Sequence, residues 1–388
     1  MMQRIVTLIV ALTTGTALAQ AADVQSSGPS PVAYVYVSAP GAVKGFSVSA
    51  GGALTPLPGS PYVGIALNHM SVNGKYLFGI GQDQEHVYSY LREANGALSL
   101  TPVDELNTRT YNDCPKLTTT QVDRTGSTLY VSQAECPDHS AGHDYYNIEQ
   151  FRINSNGTLQ FLGNHPIGVP SNTSPSPLYF LANNDFGYQF ACYFPRESSS
   201  TAWIAIYKRA SDGVLQPAVN AQYYNNDTYN DLPCFTATDE TNHLAVAQVG
   251  YVYDNGQMVY NLAKIASFTT DSNGTITQPN QFNVRTLSLP NGVVTAMSIS
   301  PAGNLLAVGG PQGFQLFHFN GAAPVGYYTK DVLQPSKDFE EFVWDKSNHL
   351  FAVTSTGLLV YNVTPTAYSE LESVSIPNAS SAIAISLP

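Results

Sequence analysis

Charged residues are scarce in this sequence. Asp, Glu, Lys and Arg make up 11% of its 388 residues, against about 25% in an average soluble domain. The 16 Lys and Arg are outnumbered by 28 Asp and Glu, so the net charge is −12. A nucleic-acid binder is excluded, because phosphate contacts need clustered basic residues. The composition also excludes a coiled coil, and no segment after the N-terminus offers the roughly 18 apolar residues of a membrane span.

The N-terminus has the features of a secretory signal. Arg4 precedes the short apolar run from Ile5 to Leu12, and Ala17-Leu18-Ala19 supplies small residues for cleavage. We therefore expect residues 1–19 to be a cleaved signal peptide. Residues 20–31 would then be a short disordered segment, and residues 32–388 a single domain. This organisation predicts a secreted or periplasmic protein, in which disulfide bonds persist.

Turn residues are abundant, with 30 Gly and 25 Pro. One pattern recurs six times: a polar residue, a Gly or Asn three positions later, and then a short apolar strand. These turns are predicted to begin at Ser71, Asp123, Asn184, Asp239, Ser300 and Asp345. Asp, Asn and Ser bond the backbone ahead of them, while Gly and Asn accept a positive φ. The pattern therefore indicates a repeated strand–turn–strand unit.

Each of these units is followed by an alternating strand and a second tight turn. Examples of these second turns are Asn95-Gly96, Asn156-Gly157, Asp212-Gly213 and Asn273-Gly274. Asn-Gly and Asp-Gly between alternating strands are strong hairpin signals. A further strand precedes each first turn, so one period holds four antiparallel strands, which is the unit of a propeller blade.

The two ends of the chain complete each other. Residues 33–38 match a second strand but have no inner strand before them, and residues 382–386 match an inner strand at which the chain ends. We therefore predict an all-β, seven-bladed β-propeller with four antiparallel strands per blade, closed by the C-terminal strand joining the first blade. Closure removes exposed sheet edges. Among three possible connectivities, the repeat register favours the disulfides Cys114–Cys136 and Cys192–Cys234.

The order of inner strand, Asp/Ser-x-x-Gly turn, two strands and Gly-x-Leu resembles the lactonase-like seven-bladed propellers, both 6-phosphogluconolactonase-like and YncE-like. Residues 81–88 are similar to that family's Gly-x-Asp-x-Val-x-x-Tyr segment with an insertion. The resemblance covers the chain after the signal and implies the propeller fold. Its enzymes carry an inner-strand Pro-Arg-His run followed by Glu. Here residues 175–179 hold neither Arg nor His, and Glu135 ends a strand one residue from the expected place.

In a propeller, the loops that enter the inner strands and the loops between second and third strands share one face, here called the top face. That face and the mouth of the central channel are the usual ligand site. A Tyr-Asn-Asp cluster occurs twice there, as Tyr111, Asn112, Asp113 and as Tyr229, Asn230, Asp231. These residues are predicted to bind a sugar or a cation. The alternative is that Tyr packs under the loop while Asn and Asp build turns.

Two further groups have side chains suited to chemistry. Glu340 and Glu341 begin the seventh inner strand. They are predicted either to contact a ligand and serve as general acid or base, or only to form a negatively charged rim. The loop of the third blade contains Asp138, His139, His143 and Asp144, which are the residue types of a zinc or calcium site or of a solvated polar loop. His69 is interpreted as an interior histidine.

These observations favour a secreted, monomeric propeller that acts as a rigid scaffold. It would bind a small molecule, a glycan or a protein on its top face, with a divalent cation as the one cofactor considered. The alternative is a lactone hydrolase in which Glu341 or Glu135 is the base and His143 lies nearby.

Overall fold

The computed structural model describes a defined part of the chain. The described residues are 30–110, 114, 116–137, 144–167, 173–175, 179–180, 186–193, 202–217, 222–224, 231–239, 241–254, 257–260, 264–277, 284–286, 294–321 and 325–388. In parts of several strands only the backbone is described. This part of the chain is β-structure apart from one 3-10 turn at Thr108–Thr110. None of its helices is long and apolar enough to cross a membrane.

Short strands follow one another along the described residues. The first twelve are β1 (Ala33–Ala39), β2 (Ala42–Val48), β3 (Leu54–Pro56), β4 (Tyr62–Val63), β5 (Leu67–Val72), β6 (Tyr76–Gly81), β7 (His86–Leu91), β8 (Asp104–Asn107), β9 (Lys116–Val122), β10 (Thr128–Pro137), β11 (Asp144–Ile153) and β12 (Leu159–Ile167). The next twelve are β13 (Thr173–Pro175), β14 (Tyr179–Phe180), β15 (Phe186–Tyr193), β16 (Ala202–Arg209), β17 (Leu215–Pro217), β18 (Gln222–Tyr224), β19 (Asp231–Thr238), β20 (His243–Asp254), β21 (Gln257–Tyr260), β22 (Lys264–Thr270), β23 (Ile276–Thr277) and β24 (Val284–Thr286). The last nine are β25 (Ala296–Ile299), β26 (Leu305–Gly310), β27 (Gly313–His318), β28 (Gly326–Tyr327), β29 (Phe339–Trp344), β30 (His349–Thr354), β31 (Gly357–Val363), β32 (Tyr368–Ser375) and β33 (Ala382–Ser386).

Pairing between these strands is antiparallel and gives seven sheets in the described residues. Sheet 1 contains β33 and β1 to β4, sheet 2 contains β5 to β8, and sheet 3 contains β9 to β12. Sheet 4 contains β13 to β18, sheet 5 β19 to β24, sheet 6 β25 to β28, and sheet 7 β29 to β32. Hairpins join most neighbours, so each sheet is a local unit of the sequence, as the period of turns predicted.

The exception to this local pairing is the C-terminal strand, which pairs with the first strand of the chain. In this ladder Val37 lies opposite Ala382, and Ala33 lies opposite Ser386. The innermost strands of neighbouring sheets pack on one another: β33 contacts β5 and β29, β5 contacts β9, and β25 contacts β19 and β29. The fold is an all-β propeller of mainly four-stranded antiparallel sheets, and β33 occupies the innermost position of sheet 1.

Apolar side chains fill the layers between neighbouring sheets. Tyr36 and Leu67 belong to the layer between sheets 1 and 2, and Phe78 and Phe151 to the layer between sheets 2 and 3. Similar layers lie between sheets 5 and 6, sheets 6 and 7, and sheets 7 and 1. Because strand side chains alternate between the two faces, each sheet contributes to the layer on either side. Each large buried side chain contributes about 1.5 to 3 kcal/mol.

The turns between first and second strands use the chemistry that the sequence indicates. The Asp123 carboxylate accepts hydrogen bonds from the backbone N–H groups of Ser127 (2.9 Å) and Thr128 (3.3 Å). The prediction of a turn beginning at Ser71 is wrong by two residues, because Ser71 lies within β5. Asn73 makes this turn, and its side-chain oxygen accepts from the backbone N–H of Tyr76 at 2.9 Å.

Tyrosines of second strands connect sheets 1, 2 and 3 to the sheet that follows each of them. The Tyr36 hydroxyl donates to the Gly96 carbonyl (2.6 Å), that of Tyr76 to the Ser155 carbonyl (3.0 Å), and that of Tyr130 to the Gly213 carbonyl (2.6 Å). We call these forward contacts. Their acceptors lie in or beside the glycine turns between third and fourth strands. Each ring fills an inter-sheet layer while its hydroxyl satisfies a backbone oxygen.

The forward contact of Tyr76 leads us to expect that Gly157→Ala destabilises the protein. Gly157 has φ +88°, and a Cβ there would lie 2.4 Å from the Tyr76 ring. We expect unfolding to become easier by roughly 2 to 5 kcal/mol, from about 1 to 2 for the left-handed backbone and about 1 to 3 for overpacking. Gly74→Ala is the matched control in urea unfolding, since Gly74 has φ +89° and no atom within 4 Å of a new Cβ. Equal losses would show that the Tyr76 ring is not involved.

Candidate functional site: the channel mouth

The inner strands of sheets 2, 3 and 7 are interrupted by β-bulges. The register shifts between Asn68 and Met70 in β5, beside Thr118 in β9, and between Phe339 and Glu341 in β29. An extra residue in one strand of a ladder turns its side chain out of the regular alternation. The inner strands surround the axis of the propeller, and all three bulges lie in the half of the strand that begins at the top mouth of the central channel.

Glu341, the third residue of β29, is half-buried in this region. One carboxylate oxygen, Oε2, accepts a hydrogen bond of 2.7 Å from the backbone N–H of Ala382 on β33. Loss of water around the carboxyl group raises the pKa of Glu341 to about 7, although the bond from Ala382 opposes this shift. Glu341 therefore exchanges a proton near neutral pH.

His69, the third residue of β5, carries the bulge of its strand and has φ 41°. Its carbonyl accepts from the Thr120 hydroxyl at 2.9 Å, which ties the bulge to β9. The side chain is accessible to solvent, so the interpretation of an interior histidine is wrong. Neighbouring protein atoms nevertheless displace much of its water, and this lowers the pKa of His69 and favours the neutral imidazole.

Hydrogen bonds across β33 show that the two residues lie at similar depths. The Ala382 N–H reaches the Glu341 carboxylate. Ser38, whose backbone N–H donates to the Ser381 carbonyl at 2.9 Å, also donates its hydroxyl to the Leu67 carbonyl. His69 follows Leu67 by two residues, so His69 and Glu341 differ in depth by at most about 7 Å at roughly 3.3 Å per strand residue.

The top rim beside this site is acidic. Glu340 lies at the bulge of β29, and both its side chain and that of Asp338 are exposed. The Thr295 hydroxyl donates to the Phe339 carbonyl and fixes the start of β29 against sheet 6. Glu340 and Glu341 are therefore brought to the channel mouth together, Glu340 on the exposed rim and Glu341 deeper.

Several predicted site residues fall outside the described residues. These are Tyr111, Asn112, Asp113, Asp138, His139, His143, Tyr229 and Asn230. For Glu135, Cys136, Asp144, Cys192, Asp231 and Cys234 only the backbone is described, within β10, β11, β15 and β19. The assignments of these side chains stay predictions. Cys114 is described; it is buried and takes part in a disulfide bond.

A polar cluster on the top loops of sheet 2 was not recognised as a site from the sequence. His86 Nδ1 lies 2.6 Å from Asp83 Oδ2, and its Nε2 lies 3.2 Å from the Asn107 side-chain nitrogen. Burial favours a higher pKa for Asp83, but hydrogen bonds from Glu85 and His86 outweigh it and lower the pKa. An ion pair of 2.7 Å joins Arg109 to Glu85. The cluster joins the loop after β6 to the loop after β8.

A second group of polar side chains is buried away from the channel. Glu149 is inaccessible to solvent on β11, and burial raises its pKa to about 8, with a hydrogen bond from Gln133 opposing the shift. Asn147 donates to the Gln133 side-chain oxygen at 2.6 Å. Their strand partners place these residues in the layer between sheets 2 and 3. Nothing in the sequence distinguishes these residues, since their strands show ordinary alternation of polar and apolar residues.

Comparison with known proteins supports the fold. No protein-family model matches the chain, and no curated protein matches it in sequence. A protein from Bacteroides uniformis, provisionally assigned as a 6-phosphogluconolactonase, is similar in structure with TM-score 0.58 and 12% identity, covering 91% of this chain and 99% of that one. A protein of unknown function from Desulfotomaculum acetoxidans gives TM-score 0.55 and 12% identity over 89% of this chain and 97% of its own. At these identities the likeness is one of fold: a β-propeller resembling lactonase-type propellers.

Proposed function

We propose that this protein is a seven-bladed propeller that binds a small, neutral, hydroxyl-rich molecule at the top mouth of its channel. The observation that carries the proposal is the pair of bulged inner strands, β5 and β29, which hold His69 and Glu341 at similar depth on either side of β33. The seven described sheets support the blade number. The Tyr-Asn-Asp clusters at 111–113 and 229–231 would supply further contacts from the loops.

The chemistry of the two residues favours hydroxyl groups. An ionised Glu341 accepts hydrogen bonds, and a neutral His69 both donates and accepts one. The exposed Glu340 and Asp338 on the rim and the net charge of −12 oppose an anionic ligand. A neutral sugar or sugar lactone therefore fits better than a phosphorylated one.

We expect affinity for such a ligand to rise about tenfold between pH 6 and pH 8. The pKa of Glu341 is about 7, so ionisation of the carboxylate is largely complete one unit above that value and largely absent one unit below it. Hydroxyl donors bind the ionised form better. Isothermal titration calorimetry with a panel of neutral monosaccharides and D-glucono-1,5-lactone at pH 6, 7 and 8 measures this.

Variants assign the effect to particular side chains. Glu341→Gln should weaken binding at pH 8 at least tenfold and remove the pH dependence, and His69→Asn should weaken binding at both pH values. Glu340→Gln shows how much the adjacent rim carboxylate contributes to binding. Glu93→Gln is the control, because Glu93 is exposed on a hairpin at the other end of the propeller. Absence of binding by the whole panel, or unchanged binding in both channel variants, refutes the proposal.

Lactone hydrolysis is the second candidate function, and the pKa of Glu341 favours it. A carboxyl group that titrates near pH 7 suits a general base. It would take a proton from a water molecule that attacks the carbonyl carbon, and return it to the ring oxygen as the acyl C–O bond breaks. Acid release from D-glucono-1,5-lactone, followed in a pH-stat, should then fall at least 100-fold in Glu341→Gln. If the lactone binds but is not hydrolysed, the hydrolase function is rejected and the binding function remains.

The disulfide of Cys114 supports a secreted or periplasmic location. We expect Cys114 to pair with Cys136 and Cys192 with Cys234, because each pair joins loops of one top-face region in the repeat register. Non-reducing peptide mapping of the purified protein tests the pairing. Crossed pairs would contradict the assignment of those loops.

A further inference from the structure

The central channel has a second opening at the bottom, at the opposite ends of the inner strands from the top mouth. There the final residues of β9, β19, β25 and β29, together with β33, surround a cavity of about 330 Å³. This volume lies within the range of about 300 to 1,000 Å³ that is typical of small-molecule sites. The cavity is distinct from the candidate site, because neither His69 nor Glu341 lines it.

The lining of this cavity is uncharged and combines apolar with polar residues. Met297, Val343 and Ile383 contribute side chains that solvent partly reaches, whereas alternate residues of the same strands are buried between sheets. Gln121, Thr238, Ser298 and Ser300 add polar groups. Concave apolar surface with a few polar groups is the usual composition of a ligand site.

The wall of the cavity is held in place before any ligand arrives. The indole N–H of Trp344 donates to the Ser298 carbonyl at 3.3 Å, which fixes the ring of β29 against β25. The Gln121 side-chain amide donates to the Val122 carbonyl at 3.1 Å. The backbones of the inner strands are fixed by their ladders, so the apolar side chains have little freedom to close the space.

We propose that this bottom cavity is a second binding site, for a small neutral aromatic molecule. An aromatic ring would pack against Trp344 and the Met297 thioether, and both contacts are favourable for aromatic groups. A neutral ligand is required because no lining residue carries a charge to compensate a buried ion. A polar substituent would meet Gln121 or Thr238 at the edge.

The neutral fluorophore N-phenyl-1-naphthylamine is the probe for this site. We expect saturable binding of one molecule per protein, seen as a rise in probe emission and a fall in Trp344 emission. Gln121→Phe, which fills the cavity, and Met297→Gln, which makes its wall polar at similar size, should each weaken binding at least tenfold. Leu100→Phe adds a ring at a residue that is 70% exposed elsewhere, and it should leave binding unchanged.

The outcomes separate this site from the channel mouth. Circular dichroism melting of each variant confirms that it is folded, and the second cavity variant keeps the test open if the first does not fold. A neutral monosaccharide should not displace the probe, and Glu341→Gln should not lower the affinity for the probe. Absence of saturable probe binding, wild-type affinity in both cavity variants, or displacement by the sugar overturns the proposal.

Discussion

Deletion of residues 382–388 is expected to abolish the cooperative unfolding transition of this protein. The deletion removes β33, and with it the ladder from Val37–Ala382 to Ala33–Ser386. Ile383, Ile385 and Leu387 pack on the layer between sheets 1 and 2, and Ala382 on the layer between sheets 7 and 1. Full burial of each large side chain would contribute about 1.5 to 3 kcal/mol, and these three are partly buried, so together with the lost ladder they account for a large part of the roughly 5 to 15 kcal/mol that stabilises a typical domain.

Thermal and urea unfolding, followed by circular dichroism, measure this effect. Deletion of Pro388 alone is the matched control, because that residue is exposed and lies outside β33. A synthetic peptide of residues 380–388, added to the truncated chain, should restore part of the transition by pairing with β1. A truncated protein that unfolds with wild-type midpoint and slope would show that the ring does not depend on this strand.

Asp123→Ala is expected to destabilise the protein by about 3 to 5 kcal/mol, the usual loss when a buried ion pair is broken. The Asp123 side chain is inaccessible to solvent, and its Oδ2 lies 2.5 Å from Arg209 Nη2 across the boundary between sheets 3 and 4. Arg209 is 8% exposed, so the substitution leaves a buried guanidinium without its counter-ion. The variant also loses the turn bonds to Ser127 and Thr128.

Asp239→Ala separates these two losses. Asp239 makes the corresponding turn in sheet 5 and accepts from the backbone N–H of Thr241 at 2.9 Å, but its side-chain partner is the more exposed His243 in place of an arginine. We expect a smaller loss there, about 1 to 2 kcal/mol for the turn bonds. The double variant Asp123→Ala/Arg209→Met should lose less unfolding free energy than the sum of the losses in the two single variants. Strict additivity in urea unfolding would refute coupling between Asp123 and Arg209.

Much of the fold could be predicted because it depends on local chemistry. Asn-Gly and Asp-Gly turns between alternating strands fix hairpins, and the Asp of an Asp-x-x-Gly turn bonds the backbone a few residues ahead. Ring closure was also predictable, because residues 33–38 lack an inner strand and residues 382–386 supply one. The error at Ser71 has a local cause: Asn73 bonds the Tyr76 N–H and so begins the turn two residues later.

The candidate site was harder to predict, because contacts between distant strands position its residues. Glu341 was proposed from its position at the start of an inner strand, yet its bond to Ala382 exists only after the ring closes. The exposure of His69 depends on a bulge, and a bulge leaves no mark in the sequence beyond one extra residue. The same is true of Glu149, whose burial follows from how sheets 2 and 3 face each other.

The forward contacts give sheets 1 to 3 a donor side that meets an acceptor side on the next sheet, as in a cyclic oligomer built from head-to-tail subunits. Tyr328, which follows β28 of sheet 6, makes a different contact in the same direction, to the Thr364 carbonyl after β31 of sheet 7 at 2.9 Å. Contacts of this heterologous kind close only when the rotation from one unit to the next divides a full circle. An inserted or deleted repeat could therefore not be accommodated where it occurs, and every boundary around the circle would have to change its angle.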